Sequence, residues 1–348
     1  MGPNQYIGII LAAPEFHTCH LVRNVGQIHN RRIGQSMPAA RLPASYFGMI
    51  LGLAGMGQAW RAAAVLWKVP EQIGEGVLLL ATLIWAALLM TYLSQALRHP
   101  QTVRAEAEHP VQGSTPALMA IATMLIAMAV LPYSRTAAEC LAAVALAGHL
   151  FFSLWHTGTV WRGGRSHQDT VPTAYLPTVA GNFTSAALLG ALGLASWGWL
   201  FLGTGVFSWL ALESLMIHRM LGPEPLPAPQ RPLVGIQFAP PVVCGMACLM
   251  LLPGSHEPWL LMLWGYGLFQ LLLGLRMRVW LGEQPFAMSY WSYTFGIAAT
   301  TICALKLAIN GVDSARVLAL PIFVCANAFI GYLTIKTAAL VVNGRFLR

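Results

Sequence analysis

The stretch SYFGMILGLAGMGQA, Ser45 to Ala59, carries no charged residue and places small side chains at Ser45, Gly48, Gly52, Gly55 and Ala59. Residues three and four apart share one face of a helix, so a helix through this stretch presents a narrow stripe of small groups on an apolar body. Lipid chains have no use for such a face, whereas a seam between helices or a water-filled path does. The pattern returns at Pro177-Gly181-Ser185 and at Ser292-Gly296-Ala299-Cys303.

Outward from these segments, the whole chain has the same character. Of 348 residues, 57% are hydrophobic and only 9% are charged, with a mean hydropathy of +0.62. Soluble domains carry about 25% charged residues, so the chain reads as a polytopic membrane protein and a soluble globular enzyme is excluded. Spans of about 20 apolar residues cross a bilayer. Ten are expected, near 44–67, 73–97, 114–132, 137–160, 173–194, 198–218, 233–252, 258–280, 288–309 and 317–341. Residues 1–41 form an N-terminal extension, expected to be disordered and cytoplasmic, and 42–348 the membrane domain. The run Tyr6–Ala13 is too short and lacks the basic flank of a secretory signal. Met37, just before the first span, is a second candidate start, which an intact mass would test.

The formal net charge of +8 is placed asymmetrically. Arg98, Arg104, Arg162, Arg165, Arg219, Arg231, Arg276 and Arg278 fall in even-to-odd connections, and further arginines in both termini. The opposite connections hold little beyond Arg61, Lys68, Arg135, Lys306 and Arg316. By the positive-inside rule both termini are cytoplasmic. The excess is a topology signal and no nucleic-acid partner is expected, because no basic helix or aromatic platform accompanies it.

Odd spans carry the small, polar and helix-disturbing residues, and even spans carry bulky runs such as Val77–Leu80 and Leu260–Trp264. Pairing each odd span with the next even one gives five helical hairpins. If the small faces converge, five inner helices ringed by five outer ones enclose a central pore in a quasi-fivefold arrangement. For any one stripe tight packing is the better explanation; five in alternating register shift the balance toward a lumen. The expected lining is Ser45, Gly52 and Gly55 from the first span and Thr123 from the third. The fifth adds Pro177, Gly181 and Ser185, the seventh Pro240 and Cys244, and the ninth Ser292, Gly296 and Ala299.

Within Trp291-Ser292-Tyr293-Thr294-Phe295-Gly296, Phe295 shares a face with Ser292 and Ala299. A phenyl ring on such a wall is a candidate hydrophobic plug, with Gly48 leaving it room and Leu51 supporting it; Trp291 and Tyr293 fall off that face. Fixed charges are nearly absent from the spans, which favours passive conduction over stoichiometric coupling. Glu213 is the intramembrane acid a proton-coupled carrier would need. His149 and His156, seven apart, are the pair a membrane haem or quinone protein would use. Arg61, Lys306 and Lys336 lie near span ends, where long side chains snorkel. Cys244 and Cys248 read as seam-filling residues, so no metal and no cofactor is expected.

Leu42-Pro43-Ala44-Ser45-Tyr46-Phe47-Gly48, Tyr175–Ser185, Trp264-Gly265-Tyr266-Gly267 and Tyr290–Gly296 resemble the tellurite-resistance/dicarboxylate transporter family. That family groups the bacterial TehA proteins with plant guard-cell slow anion channels and fungal malate permeases. The resemblance runs from about Leu42 to the C-terminus. It implies a homotrimer in the bacterial inner membrane, passing small anions, with tellurite and C4-dicarboxylates among the candidates, rather than an enzyme. It also implies ten helices per protomer, five of them around a pore that a phenylalanine closes. The gate maps onto Phe295 and its packing partners onto Gly48, Leu51 and Val243.

Overall fold

The computed structural model describes residues 41–164 and 166–347. The expectations for residues 1–40, including a start at Met37, lie outside the described residues. The described chain is helical, and Leu42–Phe346 forms one unit. In chain order its principal helices are α1 Gly48–Trp67, α2 Glu71–Arg98, α3 Pro100–Glu108, α4 Ala117–Val130, α5 Arg135–Val160 and α6 Gly181–Ala191. They continue as α7 Ala195–Leu221, α8 Pro240–Leu251, α9 Pro258–Arg276, α10 Thr294–Ile309 and α11 Asp313–Val342.

Among the described residues, eight helical segments are long and apolar enough to cross a membrane. The two expected spans that fall short are the third and the fifth. There α4 has 14 residues and α6 has 11, each introduced by an irregular stretch at Pro116 or Pro177. The cause is local. Proline has no N–H and clashes with the carbonyl four residues back, so the chain enters through turns. Leu176–Ala180 forms a wide π-type turn before α6.

Burial divides the helices into two classes. The segments 44–67, 228–251 and 288–309 are 72%, 83% and 72% buried, whereas α2, α5, α7, α9 and α11 are only 22–28% buried. The buried set packs in a closed cycle: α1 against α4, α4 against α6, α6 against α8, α8 against α10, and α10 back against α1. Each outer helix packs on the inner helix before it. Small residues permit the close approaches. A Cβ at Gly190 would lie 2.7 Å from the Met250 carbonyl oxygen, so α6 and α8 meet backbone to backbone there.

The hairpin turns have a shared cause as well. Gly193 and Gly311 sit at φ +80° and +93°, a left-handed conformation that costs L side chains energy and glycine almost none. Their successors, Leu194 and Val312, donate back to the carbonyls of Leu189 and Leu307 at 2.8 and 3.0 Å. These bonds satisfy carbonyls at the helix end and reverse the chain. Ser134 caps α5, accepting from the Ala137 N–H at 3.2 Å.

Helix α3 lies outside the membrane-length segments and is pinned by one buried acid. Glu106 accepts the Ala44 N–H at 2.7 Å and the Tyr92 hydroxyl at 3.0 Å, tying α3 to the entry of α1. Burial raises its carboxyl above the ordinary value of 4.5, against the lowering effect of those bonds. The folded protein therefore holds this proton more tightly than the unfolded chain. Stability falls as pH rises from 4.5 through the raised value, then levels. Glu106→Gln is expected to flatten that part of the profile, read as thermal unfolding of purified protein against pH. An unchanged slope would remove Glu106 as its source.

Candidate functional site

Two cavities lie within the cycle of buried helices. One, of about 280 Å³, is walled by the N-terminal portions of the inner segments. The other, of about 620 Å³, is walled by their C-terminal portions. Phe295 belongs to the wall of both, and no other described residue does. Its side chain is 6% exposed. Phe295 thus borders both chambers.

Among the described residues, the N-terminal chamber is lined by hydroxyls, amides and apolar groups, without a charged residue. Ser45, Gly48, Leu51, Pro240, Val243 and Ser292 all lie in its wall, around Phe295. At Gly48 a Cβ would meet nothing closer than 4.0 Å, so the space in front of it is open. Gly55 and Ala299 line the C-terminal chamber. Residues from α1, α8 and α10 therefore line the two chambers beside Phe295.

Seven expected lining residues face seams and line neither cavity. A Cβ at Gly52 would fall 2.4 Å from the Thr294 Oγ1, so this glycine admits α10. Gly181 packs against the His149 ring, 2.2 Å from its notional Cβ, and Gly296 packs against Ala239 at 3.2 Å. Thr123 accepts the Trp85 indole N–H at 3.1 Å and donates to the Met119 carbonyl at 2.8 Å. Ser185 donates to the Gly181 carbonyl at 2.8 Å. Pro177 and Cys244 are buried, in the turn before α6 and in α8. Trp291 departs in the other direction. It contributes to the N-terminal wall while its indole N–H donates outward to Thr337 at 2.9 Å.

The error has a geometric origin. Beside Arg61, the lining positions of α1 are Gly48, Leu51, Gly55, Gln58, Ala62 and Val65. They recur at the alternating three-and-four spacing that keeps one face in view. At about 100° per residue, Gly52 stands roughly a quarter turn off that face. Small residues occur both where helices touch and along the adjacent stripe that lines the chambers. The same spacing, through the turn before α10 and α10 itself, links Ser292, Phe295, Ala299, Ile302, Lys306 and Ile309. That register was the available signal for Gln58 and Lys306, which sequence reasoning missed as lining residues. Thr115, Thr173 and Ser289 also line the N-terminal chamber; they precede the regular helices, where periodicity has no purchase.

The ionisable groups of the rival readings lie behind the inner helices. Glu213 on α7 accepts from the Tyr175 hydroxyl at 2.7 Å, the Trp209 indole at 2.9 Å and the Tyr266 hydroxyl at 3.4 Å. It lines neither cavity. His149 and His156 on α5 are buried, one beside the Asn182 carbonyl oxygen at 3.4 Å and the other at 3.0 Å from the Ser114 hydroxyl.

Comparison with known proteins gives a consistent picture. Residues 41–338 match the family model SLAC1, described as voltage-dependent anion channel. The chain is 32% identical to the tellurite resistance protein TehA homolog of Haemophilus influenzae over 332 residues, 95% of this chain and 98% of the relative. It is 25% identical to the S-type anion channel SLAH2 of Arabidopsis thaliana, over 76% of this chain and 52% of the plant protein.

Proposed function

Because the chain belongs to the SLAC1 voltage-dependent anion channel family, we propose that it is a facilitative anion channel whose pore is closed by the Phe295 ring. One observation carries this reading: the two chambers inside the helix cycle share Phe295 and no other described residue. Ten membrane segments in five hairpins form the conduit, with α4, α6 and their irregular approaches completing the third and fifth spans. Gly48, Leu51 and Val243 seat the ring. Both termini are cytoplasmic, the membrane is the bacterial inner membrane, and the assembly is a homotrimer.

Electrostatics favour anions at the N-terminal mouth. The first turns of the inner helices line it, and each helix N-terminus carries roughly half a positive charge from aligned peptide dipoles. Small monovalent anions fit this weak, uncharged entry. Tellurite is an oxyanion to assay alongside them, given the name of the Haemophilus relative. A fixed grip on two carboxylates needs two unpaired cations, and neither chamber has them: Arg61 is held by Glu75 at 2.7 Å.

The test is planar-bilayer recording of reconstituted protein under an anion gradient, with inert cations. Reversal potentials should track the anion gradient. Reversal at the cation potential would overturn the reading. A carrier coupled through Glu213 makes a different prediction, since the acid lies off both chambers. Glu213→Gln is expected to leave the pH dependence of uptake unchanged, and loss of that dependence would favour the carrier.

A further inference from the structure

The C-terminal chamber differs from the N-terminal one in carrying charge. Two charged residues line it, Arg61 and Lys306. Arg61 is neutralised: its Nε and NH2 reach the two oxygens of Glu75 at 2.7 and 2.8 Å, and NH2 also reaches the Ala129 carbonyl at 3.0 Å. Lys306 takes part in no ion pair and no side-chain hydrogen bond among the described residues. The side chain, near the span end as expected, borders the chamber.

We infer that Lys306 forms an anion-binding station in the C-terminal chamber, for a small, partly hydrated monovalent anion, about 16 Å beyond Phe295 along α10 at 1.5 Å rise per residue. An ammonium in a recess walled by Leu, Met and Ile acts through a medium less polarisable than water, so its attraction for an anion is stronger there than on an open surface. Gln58 and Asn310 bring amide groups to the same wall. The volume of about 620 Å³ admits an anion with its waters, since one water needs only about 10–15 Å³ of such space. With a single uncompensated cation, the station suits one negative charge and holds it loosely enough for release. The place of this station in conduction rests on the channel reading above; the binding itself does not.

Two arms separate the two claims. The first measures unitary conductance against chloride concentration in the Phe295→Ala background. Lys306→Gln should raise the half-saturating chloride about three- to tenfold, with the curves converging at high salt where screening removes the difference. It should also reduce current most for anions entering from the C-terminal side, while Lys306→Arg restores both. Glu75→Gln, which frees Arg61, should shift saturation the opposite way. The second arm needs no conduction: crystals of the otherwise native protein soaked in iodide should show anomalous density at Lys306 that Lys306→Gln abolishes. Superimposable saturation curves, or iodide density indifferent to Lys306→Gln, would overturn the station. A silent Phe295→Ala protein that still binds iodide at Lys306 would count against the channel reading and leave the station standing.

Discussion

Phe295→Ala is expected to raise anion conductance about ten- to a hundred-and-fiftyfold, the factor that a barrier lowered by about 1.5–3 kcal/mol produces. The estimate comes from the ring's position. The phenyl group is buried and borders both chambers, and moving a buried Phe side chain into water costs about 1.5–3 kcal/mol. Any anion passing the native partition waits for that displacement, and a dry aromatic constriction also strips it of water. Alanine removes both obstacles. Phe295→Leu should fall between, because it shortens the plug without abolishing it. Tyr293→Phe is the control: that ring lies against Phe238 and Phe329 at 6.2 Å between centroids and lines neither chamber. Bilayer currents equal to the native protein's, from a Phe295→Ala variant with native helicity and elution, would dispose of the gate.

The second large effect is on stability. Gly52→Ala is expected to cost about 1–3 kcal/mol, the usual toll of forcing an extra carbon into a packed seam. The new Cβ would fall 2.4 Å from Thr294 Oγ1 and 2.6 Å from its Cβ. Thr294 cannot simply rotate away, because its hydroxyl donates to the Trp291 carbonyl at 2.7 Å at the start of α10. Either that bond breaks or α1 and α10 separate, and α10 carries Phe295. Gly48→Ala, one turn earlier, has open space before it and should unfold at the native temperature. Thermal unfolding of the two variants in one detergent decides the matter. Equal midpoints would mean that Gly52 faces the lumen after all.

That pair of glycines shows where reading the chain as a string stops. Composition and span length establish a polytopic helical membrane protein, because dehydrating a backbone in lipid leaves helices as the economical solution for segments this apolar. The alternation of small-faced and bulky spans sorted inner from outer helices, and the burial of 44–67, 228–251 and 288–309 against the exposure of α2, α5, α7, α9 and α11 agrees with that sorting. Phe295 stood out as a large ring on a small-residue face for the same reason.

Which small residue meets a neighbour and which meets empty space is a different kind of fact. Gly48 and Gly52 are chemically identical, one turn apart on one helix. Their surroundings are set by α10, more than two hundred residues away in the chain. Periodicity orders positions around a helix axis, but it says nothing of where the next axis passes. The same holds for Arg61 and Lys306, two basic residues near span ends. Only packing brings Glu75 onto the first and leaves the second alone against a chamber. Local sequence chose the helices and their sidedness; the distances between helices chose the lumen.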